Sequence, residues 1–234
     1  MEHYDIAFVG NGSIATIAAA KAKQRFPKLR VAVIGPYNML HGASAAAGAM
    51  HAVFCEAEEK IAFDPNDILQ FEISLESRSV WRSFLKEFAL TNLITADNTI
   101  MYKRRNSTPF ENSNFVAACN LAEEYGVLSD VTSQEVSVLF QGNFTRDQIV
   151  AKKFEGEFAF DAINFLKQLK RINADLDVND LEESVSHIKK HKSSIHISCA
   201  SGNIIRAERV IIAAGSNSAQ LVKPIADIVP VSLV

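Results

Sequence analysis

The stretch Asp5-Ile6-Ala7-Phe8-Val9-Gly10-Asn11-Gly12-Ser13-Ile14-Ala15-Thr16 decides how the rest of the chain is read. An apolar run ends at Gly10, as a short buried strand would, and the alanine-rich residues Ile17 to Ala22 that follow have helical character. The residue types suit a strand, a tight turn and a helix in that order. Gly10 permits the turn, Gly12 lets backbone approach a pyrophosphate with no side chain between, and Ala15 lets the helix pack closely on the strand. The helix N-terminus then offers free N–H groups and a partial positive charge to the phosphates of a dinucleotide. A second strand, Val31 to Ile34, supplies the βαβ context that the motif requires.

That second strand ends at Gly35-Pro36. In such a unit this position usually carries an Asp or Glu that holds a ribose hydroxyl. Glycine here removes a charge-assisted hydrogen bond worth roughly 1.5 to 3 kcal/mol. One loop later comes Gly42-Ala43-Ser44-Ala45-Ala46-Ala47-Gly48-Ala49-Met50, a run with almost no bulk. Small residues at this density mark backbone that closely approaches another helix or a flat, rigid ligand.

Length and composition narrow the class. With 234 residues and 48% hydrophobic content the chain can bury a sizeable core. A net charge of −3 and a pI near 6.1 leave no basic footprint, which argues against nucleic acid as a partner. The basic clusters Lys103-Arg104-Arg105 and Lys189-Lys190-His191-Lys192 read as solvated turns. Cys55, Cys119 and Cys199 are widely spaced and odd in number, which fits small core residues in a reducing compartment, hence the cytoplasm. No metal-ligand spacing is present, and no apolar run approaches the length of a membrane span.

Further along, Ile73, Ser77, Val80, Trp81, Phe84, Leu85 and Phe88 return at helical spacing within 68–88, with Trp81 expected in the core. Residues 89–150 read as mixed: a strand-like piece over 98–103, a polar loop over 105–114, and helices near 115–125 and 133–139. A helix over 162–172 follows Asp161. Strands near 184–190, 195–200 and 204–206 predict a small antiparallel meander, and 209–213 reads as a separate, buried parallel strand running into Ala214-Gly215-Ser216-Asn217.

With these pieces in order the chain resembles the FAD-dependent oxidoreductases of the D-amino-acid oxidase and glycine oxidase family, most closely the glycine oxidase branch. The resemblance rests on the Gly10-to-Ala15 motif, on Ser44-Ala45-Ala46-Ala47-Gly48, on Gly156-Glu157 with Asp161, on Val210 to Ser218, and on Ser133-Gln134-Glu135-Val136. It implies an α/β fold: an FAD-binding Rossmann-like βαβ unit, with parallel sheet plus antiparallel meander, and an inserted α+β substrate or cap region. The implied segments are 1–50 and 156–228 for FAD, 51–155 for the cap, and 229–234 as the start of an incomplete substrate-domain strand. For non-covalently held FAD it implies backbone contacts from Gly10, Gly12, Ser13, Ile14 and Ala15, the adenosine ribose at Gly35 and Pro36, and the flavin side over Gly42, Ala43, Ser44, Ala47, Gly48 and Ala49. Val185 would meet the adenine, and Ala214 and Gly215 belong to the second flavin-side motif. His41 stands beside the small run and reads as a loop histidine rather than a flavin attachment.

The implied activity is oxidation of a C–N bond of an amino acid or amine, with hydride passing to flavin N5 and the imine then hydrolysed. The family's substrate-gripping residues would lie beyond Val234, so no catalytic residue is assigned. Two alternatives stay open. One is a truncated or non-catalytic flavin-binding subunit that needs a partner, as a homo- or hetero-oligomer, for its active site. The other is a nicotinamide-dependent dehydrogenase, disfavoured because neither an acidic residue nor an arginine follows the second strand.

Overall fold

The computed structural model describes residues 2–37, 42–57, 65–141, 144, 147–191 and 194–222. It divides into two compact units, one made of the residues up to Ala47 together with those from Ala162 onward, the other of Gly48–Asp161.

In the first unit, β1 (His3–Val9), β2 (Val31–Gly35), β7 (Asn179–Glu182), β8 (Val185–His191), β9 (Ser194–Cys199) and β10 (Ile204–Ile212) form one sheet in the order β7-β2-β1-β10-β9-β8. β7, β2, β1 and β10 run parallel, while β9 and β8 continue the sheet antiparallel. Helix α1 (Ser13–Arg25) covers one face. Its Ala15 and Ala19 are fully buried in a cluster with Phe8, Val31, Val33 and Val178, as an alanine-rich helix permits. Helix α6 (Ala162–Asp175) packs beside it, where Asn173 Nδ2 donates to the carbonyl of Thr16 at 3.1 Å. The opposite face buries Tyr4, Ala7, Val9, Ile34, Ile188, Ile197 and Leu221, the last from α7 (Ser218–Val222).

The two strands expected at 204–206 and 209–213 are one. β10 pairs antiparallel with β9 through Ile204–Ala207 and parallel with β1 from Arg206 to Ile212, so a single strand serves both the meander and the parallel sheet. It is also less buried than its apolar sequence suggests, with Ile211 at 44% exposure. The β7 sequence Asn179-Asp180-Leu181-Glu182 has no strand-like composition; its place comes from pairing with β2. Lys189, Lys190 and His191 lie within β8 rather than in a turn.

The second unit is built on β6 (Ile149–Phe160), which pairs with β4 (Ile94–Arg104), β5 (Leu128–Asp130) and β3 (Met50–His51). Helices α3 (Pro65–Glu87), α4 (Pro109–Glu124) and α5 (Ser133–Leu139) belong to it. α3 buries Phe71, Phe84 and Leu85, whereas Ile73 and Val80 are exposed and Trp81 is half-buried against Phe160 and Phe84. α4 begins inside the stretch read as a polar loop. A capping box closes its first turn: Thr108 accepts from the Glu111 N–H, and Glu111 accepts in return from the Thr108 N–H.

The compact units divide at 47/48 and 161/162. Met50 and His51 pair with Ala159 and Phe158, and Gly156 and Glu157 lie within the continuous strand β6, so those residues share the second unit's sheet. The expected segment 229–234 lies outside the described residues.

A register shift between β4 and β6 coincides with Gly156, whose φ is 77°. Such a bulge re-aims the neighbouring side chain. Glu157 is 0% exposed, and its Oε1 accepts from the N–H groups of Val53, Phe54 and Cys55 at 2.8, 2.7 and 3.2 Å. Arg78 and Arg82 of α3 donate to the carbonyls of Glu155 and Gly156 across the same bulge. Removing the carboxylate strands buried donors, so Glu157→Ala is expected to destabilise this unit by about 3 kcal/mol or more. Glu157→Gln, which keeps an acceptor oxygen, loses less. Denaturant unfolding followed by fluorescence of Trp81, the sole tryptophan, checks this; equal midpoints for wild type and Glu157→Ala would refute the clamp.

Candidate functional site

The candidate site lies in the first unit, where β1, β2 and β10 end side by side. The Gly10 N–H donates to the carbonyl of Ile34 and the Ala213 N–H to that of Val9, both at 2.8 Å. Gly10 has φ 117°, and a β-carbon built on it would lie 2.6 Å from the carbonyl carbon of Ala213. Both the turn and the approach of the β10 exit therefore demand glycine. Ala214 follows at that contact, and Gly215, with φ 58°, opens a 3₁₀ turn over Gly215–Asn217.

From this crossing the chain enters α1. Its N-cap is Gly12, which contributes no side-chain cap, and no acidic residue lies in the first turn. The Ser13 N–H donates to Ser44 Oγ at 3.1 Å and the Thr16 N–H to the carbonyl of Gly12 at 3.1 Å. Among the described residues the Ile14 and Ala15 N–H groups have no acceptor. A helix end with two unspent donors and no competing anion is suited to a phosphate.

Ser44 ties the small-residue run to this end. Its hydroxyl lies 3.1 Å from Ser13 Oγ, and a β-carbon on Gly12 would come within 3.0 Å of it. Gly42 caps the short helix α2 (Ala43–Ala46), and Gly42, Ala43 and Ala47 are exposed. Gly48 and Ala49 begin the second unit, Ala49 with φ 47°. At the exit of β2, Asn11 Nδ2 donates to the carbonyl of Pro36 at 2.8 Å, and the Asn11 side chain occupies the space over Gly35.

Of the residues singled out in sequence, the structure thus brings Gly10, Gly12, Ser13, Ile14, Ala15, Gly35, Pro36, Gly42, Ala43, Ser44, Ala214 and Gly215 to one end of one sheet. Val185 opens β8 opposite Cys199, with β9 and β10 between it and β1. His41 lies outside the described residues. Among those described, no group of three or more His, Cys, Asp or Glu side chains could hold a metal ion, and no helix is long and apolar enough to cross a membrane. Nothing local in the sequence links Asn11 to Gly35.

The family model for FAD dependent oxidoreductases matches residues 5–233. The chain belongs to the FAD dependent oxidoreductase family. No curated protein sequence matches it significantly. Among solved structures it is similar to glycine oxidase from Geobacillus kaustophilus, with a TM-score of 0.74 and 21% identity over 95% of this chain and 58% of that one. It is similar also to L-proline dehydrogenase from P.horikoshii, with a TM-score of 0.71 and 14% identity over 98% of this chain and 58% of that one. L-amino acid deaminase from Proteus vulgaris gives 0.71 and 14%, over 95% of this chain and 50% of that one. The chain therefore spans only half to three-fifths of the length of these structures. At such identities the likeness is one of fold.

The residues present fit the family's cofactor at its phosphate end. The two unspent N–H groups of α1 suit a pyrophosphate, and Gly12 leaves backbone open to it. The crossing itself can be tested by stability. Gly10→Ala places a methyl group against Ala213 at an unfavourable φ, costing about 3 kcal/mol, or a fall in Tm of roughly 6–12 °C. Gly215→Ala meets nothing within 4 Å and should cost only the left-handed penalty of about 1–2 kcal/mol. Calorimetry of both variants checks the contrast; an unchanged Tm for Gly10→Ala would contradict the close approach.

Proposed function

We propose that this chain is the flavin-binding part of an FAD-dependent oxidoreductase that oxidises a C–N bond of an amino acid or amine, in the manner of the glycine oxidases. The observation that carries the reading is the uncapped N-terminus of α1 above the Gly10 crossing, in a chain that belongs to this family. The chemistry FAD supplies when bound is a two-electron oxidation of the carbon–nitrogen bond, after which water hydrolyses the imine.

The chain's own residues bind and orient. Ile14 and Ala15 N–H groups face the pyrophosphate, Ser44 steadies the first turn by accepting from Ser13, and Gly12 keeps side chains out of the way. Gly42, Ala43 and Ala47 supply the low, side-chain-poor surface that a planar ring system needs, and Val185 the adenine contact. The cofactor is held without a covalent bond, and the three free cysteines accord with a reducing, cytoplasmic setting. The substrate is a small amine or amino acid, and its gripping residues are not assigned within this chain.

Anaerobic addition of glycine, other D- and L-amino acids and simple secondary amines to the FAD-loaded protein tests the activity. Bleaching of the flavin band by at least one of them, with ammonia or a primary amine released, is the expected outcome. Flavin that dithionite reduces but no amine does, also when the substrate-gripping part is supplied, would contradict it.

A further inference from the structure

The exit of β2 lacks the carboxylate that ordinarily holds a ribose hydroxyl in this architecture. Another side chain stands in its space. A β-carbon built on Gly35 would lie 2.6 Å from Asn11 Cβ and 2.7 Å from Asn11 Oδ1, so no side chain fits at position 35 while Asn11 keeps its place. The amide is anchored, since Asn11 Nδ2 donates to the carbonyl of Pro36 at 2.8 Å. A carbonyl can only accept, which fixes the amide's orientation and turns Oδ1 away from Pro36. Oδ1 accepts no hydrogen bond among the described residues, and Asn11 is only half-buried. Glu182, in register with Gly35 on β7, pairs with Lys170 Nζ at 2.8 Å, and Asp180 pairs with the same ammonium at 3.0 Å.

We infer that Asn11 replaces the absent acid as the ribose acceptor, its Oδ1 receiving a hydroxyl of the adenosine ribose. The inference rests on the FAD reading above. Asn11 sits directly before the phosphate-facing turn and directly over the strand exit, which is where the sugar next to a pyrophosphate bound at α1 would lie. Gly35 and Asn11 form a matched pair: only glycine at 35 leaves the room, and an amide at 11 has both the donor for Pro36 and the acceptor for the sugar. A neutral acceptor does not titrate, so ribose recognition stays constant through the carboxylate range of pH, at the cost of a weaker bond than a charged one.

Quenching of flavin fluorescence on titration with this chain measures FAD affinity directly. Asn11→Ala, and the milder Asn11→Ser, are expected to weaken it by roughly 3–10-fold. Gly35→Asp alone should weaken it at least as much, because the new side chain collides with Asn11. In the double variant Asn11→Gly/Gly35→Asp the same aspartate should instead strengthen binding relative to Asn11→Gly, a reversal of sign. As competitors, ADP should outbind its 2′- and 3′-deoxy forms on the wild type for at least one hydroxyl, and that preference should vanish in Asn11→Ala. Melting curves of the apo variants establish that they fold. If wild type binds FAD and neither the affinity nor the ADP preference changes in Asn11→Ala, the assignment to Asn11 is overturned while the FAD reading stands. If wild type binds no FAD at all, the reading beneath it fails and the inference with it.

Discussion

The contact between Gly10 and the backbone of Ala213 is the constraint on which the first unit depends. Parallel strands β1, β2 and β10 must end together for their exits to form one rim, and β1 must then turn at once into α1. A residue with a β-carbon at position 10 would have to push β10 aside or abandon the positive φ. Because Gly10 does neither, α1 starts directly over the rim, Gly12 faces Ser44, and Asn11 is delivered onto Gly35. Each of these short-range fits follows from the crossing and would loosen with it.

The second unit is governed by a different economy of the same backbone groups. Buried N–H donors must be matched, and the turn Val53-Phe54-Cys55 has three pointing at one carboxylate. The bulge at Gly156 is what turns Glu157 inward to meet them, and two arginines of α3 close over it, Arg78 against the ring of Phe54 and Arg82 against that of Phe158. Burial also acts on the neighbours, pushing the Cys55 thiol pKa well up, with Glu157 adding to the shift, and lowering that of His51, on which Arg78 and Arg82 act in the same direction.

Much of the first unit was legible in sequence because its signals are local. The strand-turn-helix at Asp5 to Ala22 carries its own glycine chemistry, and Gly202, with φ 91°, lies between β9 and β10. What escaped was set by partners distant in the chain. β7 is a strand because β2 offers it an edge, β10 is one strand because β1 and β9 each hold part of it, and α3 shows Ile73 and Val80 to solvent because Phe71, Phe84 and Leu85 take the inner face. The start of α4 was different: Thr108-Pro109-Phe110-Glu111 is a capping box readable from spacing alone, obscured by the polar residues around it. At the site, the glycines and Ser44 stood out by type, whereas the role of Asn11 depends on a residue 24 positions away that lacks a side chain.

The proposed binding of FAD at the rim formed by Gly10, Gly12 and the first turn of α1 is tested most directly by a visible absorption spectrum of the purified, desalted protein, followed by heat release and identification of the chromophore. A flavin spectrum, from the start or after reconstitution, and free FAD in the supernatant are expected. A colourless protein that also fails to take up added FAD would contradict it.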